Sequence, residues 1–396
     1  MIPQNNPKFK KIFIFCILLV VLLSSCSKEI APVKHSKKIF KNPQKELISV
    51  ESYSKEITKK VNHKLDSLLK RVNRRQDFHG AILVAKNNKI VYQNQIGYAD
   101  FRKKILLKSA STFQLASVSK QFTAAAIMLL NERNLLKITD TVNTFFPDFP
   151  YEHITIKNLL NHTSGLPKYF WFAEHLWKAQ RPPSNAQMMQ LFATSDVTRF
   201  FRPGRNFDYS NTGYIVLASI VEKVSGTSLN KFLKENFFNP FGMENSYVFS
   251  YQNDSIHKNQ LKGYRLYRGW KHIAIPNTVN DAIVGDKNVY ATIDDLYKWT
   301  YGLNSGKVIS KKTLDLMYAR GETVYGRKVP YGFGFRIDHK HTNKVYHHGK
   351  WNGFTTGIDN YLDDNLVVII LEHTSFKGIT TLNKKIREIV TKHLNV

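Results

Sequence analysis

The sequence predicts an α+β domain in which strands near both ends of the chain join one antiparallel sheet, flanked by helices, with a helical insert between them. Two apolar runs near the N-terminus, 80–85 and 90–96, flank a short turn and form a β-hairpin pattern. Strand-like runs return between residues 344 and 372, and helical patterns dominate the interval. We find no internal repeat and no second linker, so these elements are expected to form one unit with a helical insert.

The 396-residue chain is strongly basic, which restricts the partners that we expect. Lys and Arg number 58 against 30 Asp and Glu, a formal net charge of +28. Such an excess attracts anionic partners, but the basic residues are scattered and no nucleic-acid-binding motif accompanies them. We therefore expect no nucleic-acid partner. A lysine-rich solvated surface is the first interpretation, and contact with an anionic envelope surface is the second.

Residues 1–26 have the pattern of an export signal. Three lysines precede an uninterrupted apolar run, 12–23, which is too short to span a bilayer and has the length of a signal h-region. The run ends in Leu-Ser-Ser-Cys, which resembles the lipobox of bacterial lipoproteins. That resemblance implies cleavage before Cys26 and lipidation of this residue, hence a membrane-anchored protein of the cell envelope. The alternative is an ordinary signal in which Cys26 is incidental.

Residues 27–55 contain several lysines and few apolar residues, which predicts a basic, flexible tether. The folded domain is expected at 56–396. The two cysteines of the sequence, Cys16 and Cys26, both precede this domain. The domain therefore has no thiol for a disulfide, for catalysis or for binding a metal.

The predicted domain opens with an amphipathic helix that begins around Glu56. Its apolar residues recur at helical spacing, at Val61, Leu65, Leu68, Leu69 and Val72. The hairpin follows, because residues 86–89 between its two runs include two asparagines, which tolerate positive φ.

The segment 115–134, LASVSKQFTAAAIMLLNERN, joins a small polar cluster to a helix that is apolar nearly all round, and such a helix is buried. Ser117 and Lys120 are three residues apart and share one face of its first turn. A lysine whose pKa is lowered by burial can take the proton of a serine hydroxyl. The helix N-terminus adds positive partial charge where an oxyanion would develop. The segment therefore indicates a serine nucleophile with a lysine base.

The S-x-x-K pattern alone is weak evidence, because it also occurs at Ser25, Ser52, Ser67, Ser228 and Ser255. What distinguishes Ser117 is that it opens a buried helix, whereas Ser67 lies in a polar amphipathic stretch.

The remaining elements follow from periodicity. Helical patterns occupy 156–160, 186–192 and 214–224. Strand patterns occupy 344–347, 354–361 and 365–372, with a turn at 363–365, and a last helix is expected at 379–394.

Two later stretches contain groups that a nucleophilic Ser117 would need. Tyr209 and Asn211 lie in the loop that opens a predicted helix, where a phenol can relay a proton and an amide can bind a lysine or a substrate carbonyl. His347 and Gly349 enter a late strand, where glycine lets the backbone approach a substrate closely. His-x-Gly occurs only there, whereas Tyr-x-Asn also occurs at Tyr92 and Tyr251.

In the order S-x-x-K, Y-x-N and H-x-G, the chain resembles the serine β-lactamase-related hydrolases, which include class C β-lactamases, penicillin-binding D,D-peptidases and related esterases. Further segments are similar to motifs of that family: LLNHTSGLP at 159–167, FRPG through YSNTGY at 201–214, PFGM at 240–243, ATIDDL at 291–296 and YGFG at 331–334. The resemblance runs from about residue 80 to residue 372 and implies a β-lactamase/transpeptidase-like fold.

The resemblance also implies roles for the matching residues. Ser117 would be the acylated nucleophile. Lys120 and Tyr209 would share the general-base and general-acid work, and Asn211 would position Lys120 or the substrate. A Tyr–Lys pair is chemically suited to move a proton between the nucleophile and the leaving group.

The third motif implies an oxyanion hole formed by the backbone N–H groups of Ser117 and Lys350, which suits a tetrahedral oxyanion. His347 and Gly349 occupy the place of Lys-Thr-Gly in β-lactamases. His347 replaces a lysine whose permanent charge would hold a substrate carboxylate, which disfavours efficient penicillin hydrolysis. His348 and Lys350 are candidates to supply charge instead, depending on pH.

Two further features have a structural and a functional interpretation. The aromatic run 169–172, together with Trp177, either belongs to the core or an interface or lines an apolar acyl pocket. His162 lies in a family motif, and we interpret it as a structural hydrogen-bonding residue rather than a catalytic base.

We therefore expect a membrane-anchored serine hydrolase that forms an acyl-enzyme on an ester or amide, either a cell-wall D-alanyl peptide or a small ester. The alternatives are a penicillin-binding or peptidoglycan-binding module or sensor with little or no turnover, and a class C-like β-lactamase. No cofactor is expected, and no metal, because no His/Asp/Glu cluster in the sequence has ligand spacing.

Overall fold

The structure, a computed structural model, describes residues 50–251, 256–339 and 342–394. The predicted signal, the predicted lipidation site Cys26 and the first part of the predicted tether lie outside these residues. Within the described ranges, no helix combines the length and the apolar character needed to cross a membrane.

The main sheet has seven strands among the described residues, in the order β1-β3-β2-β14-β13-β12-β11. It is antiparallel except for the pairing of β1 with β3. The strands of the described chain are β1 (Glu51–Ser52), β2 (Gly80–Lys86), β3 (Lys89–Ile96), β4 (Tyr98–Asp100), β5 (Ile105–Leu106), β6 (Phe113–Gln114), β7 (Tyr247–Val248), β8 (Tyr264–Tyr267), β9 (Lys271–Ala274), β10 (Val289–Ala291), β11 (Arg336–Asp338), β12 (Lys344–Trp351), β13 (Phe354–Tyr361) and β14 (Leu366–Glu372).

Most helices lie between the N-terminal and C-terminal strands in sequence. The α-helices of the described chain are α1 (Lys55–Gln76), α2 (Lys120–Glu132), α3 (Val142–Phe145), α4 (Ile156–Leu160), α5 (Tyr169–Trp171), α6 (Asn185–Ala193), α7 (Asn211–Ser225), α8 (Leu229–Leu233), α9 (Asn239–Phe241), α10 (Ile293–Asn304), α11 (Lys311–Tyr318) and α12 (Ile379–His393). A 3₁₀ turn, Ala116–Ser119, leads directly into α2.

The central strands of the sheet are buried on both faces. In β2, Leu83 packs into the core that contains α2 and α7, whereas its neighbour Val84 packs into the core beneath α1 and α12. Successive side chains of a strand point to opposite faces, so a strand between two helical layers must be apolar at every position. This explains the unbroken apolar run of β2. The sheet is therefore a middle layer, and one of its two faces supports the helix that begins at Lys120.

The predicted α+β class is confirmed, as are most of the predicted elements. The five apolar residues of the first predicted helix are all buried on α1. Asn87 and Asn88 have φ angles of 50° and 61°, as a tight hairpin turn requires.

The structure also contains elements that the sequence patterns did not indicate. The hairpin of β8 and β9 and the helices α10 and α11 are examples. At the N-terminal end, β1 lies inside the segment predicted as tether and pairs with Lys89 and Ile90, so regular structure begins before residue 56.

Candidate active site

Ser117 lies in a turn that is held firmly against the sheet. The preceding residue, Ala116, is buried and has a φ of 47°, a conformation that is costly for a residue other than glycine. Leu115 fixes this turn on two sides. Its N–H donates to the backbone oxygen of Val289 (2.8 Å), and its backbone oxygen accepts a bond from the hydroxyl of Thr356 (2.6 Å). Ser117 itself is only partly buried, so its hydroxyl lies at the edge of the core.

Lys120 is fully buried, and its amine reaches the Ser117 hydroxyl. The distance from Nζ to Ser117 Oγ is 3.4 Å. Nζ also donates to Asn211 Oδ1 at 2.7 Å and to the backbone oxygen of Asp286 at 2.9 Å. The structure therefore brings together Ser117, Lys120 and Asn211, which were predicted from two separate motifs, and it adds Asp286, which no motif indicated.

Burial lowers the pKa of Lys120 from 10.5 to about 8. The negative charge of Asp286 opposes this shift, and the positive charge of Arg336 adds to it. A lysine with this pKa is partly neutral near neutral pH. In that form it can accept the proton of the Ser117 hydroxyl.

Tyr209 lies beside these groups, on the loop that leads into α7. Its hydroxyl oxygen is buried and lies near the hydroxyl of Ser117. Burial raises the pKa of Tyr209, and the nearby Ser117 hydroxyl and Arg336 only partly offset that effect. The phenol is therefore neutral at physiological pH, which suits it to relay a proton rather than to act as a phenolate base.

His162 supports the loop of Tyr209. Its ring lies 4.3 Å from the Tyr209 ring, and its Nδ1 accepts a bond from the N–H of Ser210 at 3.1 Å. Burial, with contributions from the charges of Lys120 and His347, holds the pKa of His162 well below 6.5, so the ring is neutral. These contacts agree with a structural role for His162.

Gly349 leaves space beside the backbone of Ser117 that no other residue type would leave. A Cβ atom at this position would lie 2.5 Å from the backbone oxygen of Leu115 and 2.8 Å from the Ser117 nitrogen. The glycine of the H-x-G motif is therefore required because β12 passes directly alongside the Ser117 turn.

The backbone N–H of Lys350 lies on the edge of β12 that faces away from β13. Asn352 and Gly353, with φ angles of 43° and 89°, form a two-residue hairpin turn that is closed by Trp351 and Phe354. In such a hairpin the closing pair exchanges hydrogen bonds and the next pair does not, so the N–H of Lys350 points away from β13. The backbone N–H groups of Ser117, beside Gly349, and of Lys350, on the edge of β12 away from β13, are thus the candidate donors of an oxyanion hole.

His347 lies beneath this space rather than facing into it. Its Nε2 lies 2.9 Å from the Tyr331 hydroxyl and its Nδ1 2.9 Å from the backbone oxygen of His348. Burial, together with the charges of Lys120 and Arg336, holds the pKa of His347 well below 6.5. The ring is therefore neutral and both nitrogens are engaged, so it offers no positive charge to a substrate.

The suggestion that His348 or Lys350 supplies that charge is wrong for a geometric reason. Successive strand residues point to opposite faces, and Gly349 is on the face of Ser117. His348 lies on the other face, where its Nε2 contacts Asp359 at 2.6 Å. The side chain of Lys350 shares the face of His348, so only its backbone belongs to the site.

Arg336 is the cation that the sequence patterns missed. Its guanidinium carbon lies 4.9 Å from the centroid of the Tyr209 ring, and its charge lowers the pKa of both Lys120 and His347. Within the described chain, no carboxylate forms an ion pair with it. No motif indicated it, because Arg336 lies on β11, a short strand next to β12, and its neighbours in the site, Tyr209 and Lys120, are distant in sequence.

The aromatic run divides between buried core residues and residues that are partly exposed. Tyr169 and Phe172 are buried, which confirms the core interpretation for them. Phe170 is half-buried and stacks on Trp351 at 5.3 Å, beside the buried amine of Lys287. Trp177 is half-buried, and its indole N–H donates to the backbone oxygen of Arg181.

The other S-x-x-K serines in the described chain have ordinary structural roles. Ser67 is on the exposed side of α1 and donates to the backbone oxygen of His63. Ser228 caps α8 by accepting a bond from the N–H of Lys231. Ser52 is exposed on β1. Ser25 and Ser255 lie outside the described residues.

A second polar cluster lies away from these residues, at the end of α1. Asp77 contacts His79 Nε2 at 3.1 Å and His272 Nε2 at 2.7 Å, so three potential metal ligands come together that sequence spacing did not indicate. However, His79 Nδ1 accepts the N–H of Tyr98, which leaves its only proton on Nε2. Hydrogen bonding to Asp77 therefore accounts for the arrangement without a metal.

A serine, a buried lysine and a neutral tyrosine around a space with two backbone donors define a serine hydrolase that acts on amide or ester bonds. The chain belongs to the beta-lactamase family, which matches residues 65–389.

Comparison with individual proteins is consistent with this family. Penicillin-binding protein 4* of Bacillus subtilis (strain 168) is 32% identical over 321 residues, or 78% of this chain and 71% of the relative. The D-aminopeptidase of Brucella anthropi is 27% identical over 277 residues, 68% of this chain but 51% of that protein, so the chain spans about half of it. The solved penicillin-binding protein from Bacillus halodurans has a TM-score of 0.70 at 24% identity, covering 81% of this chain and 98% of the other. At that identity, the structural similarity establishes the fold alone.

Proposed function

We propose that Ser117 is acylated by an amide or ester substrate and that Lys120 is the base that activates it. The observation on which this rests is the position of the Lys120 amine. It lies within reach of Ser117 Oγ and is buried enough to lose its proton near physiological pH. Asn211 holds this amine through its side-chain oxygen.

The proposed reaction has two stages. Neutral Lys120 takes the hydroxyl proton as Ser117 Oγ attacks the carbonyl carbon, and the resulting oxyanion is bound by the N–H groups of Ser117 and Lys350. The intermediate collapses to an acyl-serine, and the departing amine or alcohol receives a proton through Tyr209. A water molecule then attacks the ester carbon. It gives its proton to the same pair of residues and releases the acid and the free serine.

We propose a cell-wall D-alanyl peptide or a small ester as the substrate. The names of the relatives, penicillin-binding protein and D-aminopeptidase, support a D-amino-acid peptide or amide. Neutral His347 gives a substrate carboxylate no charge to bind, whereas Arg336 is a permanent cation next to Tyr209. A substrate with a carboxylate would therefore be bound by Arg336. An enzyme would hydrolyse many molecules of such a peptide. A binding module or sensor would instead be acylated once and release no further product.

We further propose that the domain is held at a membrane of the cell envelope by a lipid on Cys26, through the basic tether. Support comes from the apolar run and the Leu-Ser-Ser-Cys sequence that ends it. Replacing Cys26 by alanine should move the protein from the membrane fraction to the soluble fraction or leave it unprocessed. Cys16→Ala is the matched control and should change neither.

The acyl-enzyme is tested by the intact mass of the purified full-length protein after incubation with a penicillin. A lasting adduct that is absent in Ser117→Ala identifies the nucleophile and indicates slow deacylation, as in a penicillin-binding D,D-peptidase or sensor. Hydrolysed drug without an adduct indicates a β-lactamase. Intact drug without an adduct directs the assay to esters and D-amino-acid amides. Ser117→Ala should lose hydrolysis of an activated ester, and Ser67→Ala, the control, should keep it; retained hydrolysis in Ser117→Ala would contradict the assignment.

A further inference from the structure

An open groove of about 700 Å³ is lined largely by arginine. Its lining consists of Arg199, Phe200, Phe201, Arg202, Arg205, Asn206, Tyr325 and Arg327. We refer to this set as the arginine groove. Two separate segments form it, the loop that precedes Tyr209 and the turn around Tyr325. They are joined by a bond from the N–H of Val324 to the backbone oxygen of Gly204 (2.9 Å).

The choice of arginine in the groove is not explained by the overall basicity of the chain. The sequence has 15 arginines among its 58 basic residues, so lysine is by far the commoner cation. The groove nevertheless contains four arginines and no lysine or acidic residue. Guanidinium groups bind oxyanions through two parallel N–H donors, which an ammonium group cannot do. The composition therefore indicates recognition of an oxyanion rather than a general surface charge.

The positive charges of the groove are not neutralised by neighbouring acids. Within the described residues, no carboxylate pairs with any of its four arginines. Arg199 donates to the backbone oxygen of Glu152, and Arg327 lies 5.6 Å from the Tyr325 ring centroid. The nearby carboxylate of Glu322 is paired with Lys328. Four uncompensated cations around one space repel one another, so a ligand with more than one negative charge relieves this repulsion best.

The rim of the arginine groove indicates a second property of its ligand. Phe200 and Tyr325 are large side chains that are 57% and 58% exposed. Exposed rings next to cations suit a ligand that has organic parts beside its charges. We propose that the arginine groove binds a multiply charged organic phosphate, either a soluble molecule or the headgroups of an anionic lipid. This inference does not depend on the catalytic roles proposed above, since binding needs no turnover.

Inorganic tripolyphosphate is a suitable probe, titrated calorimetrically into the full-length protein at low salt. Replacing Arg202 and Arg327 together by glutamine should weaken binding at least about tenfold, as loss of charge-assisted bonds predicts. Arg268→Gln is the matched control, because Arg268 is likewise an exposed arginine lying over a neighbouring tyrosine, at 5.2 Å. It should leave binding unchanged. The thermal unfolding midpoint of each variant reports whether it is folded.

Three further measurements decide the interpretation. Replacing the same two arginines by lysine keeps the charge. If the lysine variant still binds tripolyphosphate more weakly than the unaltered protein does, the guanidinium groups themselves recognise the ligand. Tricarballylate, a tricarboxylate, should bind more weakly than trimetaphosphate, a phosphate with the same three charges. Vesicles of phosphatidylglycerol distinguish the two sources, since only headgroup binding makes vesicle affinity depend on the two arginines. Equal weakening in the Arg268→Gln control, or no binding of tripolyphosphate to the unaltered protein, would overturn the proposal.

Discussion

The pH dependence of ester hydrolysis is a direct test of Lys120 as the base. A group with a pKa of about 8 is neutral in about a tenth of molecules at pH 7 and in about nine-tenths at pH 9. If the reaction needs neutral Lys120, kcat/KM should rise roughly tenfold between these values and then level off. The assay follows an activated ester from about pH 6 to about pH 10. The rate of Ser117→Ala is subtracted to remove uncatalysed hydrolysis.

Two results would refute this reasoning. A rate that is constant from about pH 6 to about pH 9 would mean that no group needed in its deprotonated form titrates in this range, which is incompatible with a Lys120 base whose pKa is about 8. A rate that still rises steeply beyond about pH 9.5 would mean that Lys120 keeps its ordinary pKa despite burial. Arg336→Gln provides a second check. It removes a charge that lowers the pKa of Lys120, so the inflection should move to higher pH. Arg265→Gln, an exposed change on β8, should leave the inflection in place.

Three substitutions test other parts of the site. Gly349→Ala should lower kcat about 10²-fold and cost about 1–3 kcal/mol of stability, because its Cβ would lie 2.8 Å from the Ser117 nitrogen; kinetics and thermal unfolding measure both effects. Tyr209→Phe should lower kcat by about 10²–10⁴-fold with little change in Tm, and an unchanged kcat would exclude the phenol from proton transfer. Thr356→Val should cost about 0.5–1.5 kcal/mol in denaturant unfolding, because the backbone oxygen of Leu115 loses its 2.6 Å bond and keeps only the 3.1 Å bond from the N–H of Val118; an unaltered midpoint would show that the Thr356 bond does not hold the turn.

Sequence patterns located the parts of this site that depend on local structure. Ser117 and Lys120 could be predicted because a single helical turn places them on one face, and Gly349 because its lack of a side chain is itself the requirement. The buried helix also separated Ser117 from Ser67, which has the same S-x-x-K pattern. In the structure, Ser67 is on an exposed helix face and binds its own backbone.

The same patterns missed groups whose neighbours in the site are distant from them in sequence. Arg336 is brought to Tyr209 by the pairing of β11 with β12, and Asp286 reaches Lys120 through a backbone oxygen, which any residue type could provide. The orientation of His347 was also beyond local reasoning. Its partner Tyr331 belongs to a different motif, and only the fold shows that both of its ring nitrogens are engaged.

The pKa of Lys120 depends on which groups the carboxylate of Asp286 contacts. Its backbone oxygen accepts a bond from Lys120, but its carboxylate is turned to Lys287 at 3.2 Å and to the Tyr169 hydroxyl at 3.1 Å. A carboxylate bonded directly to the Lys120 amine would hold the proton there and raise the pKa far above neutrality. The amine instead donates to an amide oxygen and a backbone oxygen, and the Asp286 carboxylate, which acts on it without a direct bond, opposes the effect of burial on the pKa only in part. Lys287 thereby helps to keep Lys120 able to act as a base, although it does not contact Ser117.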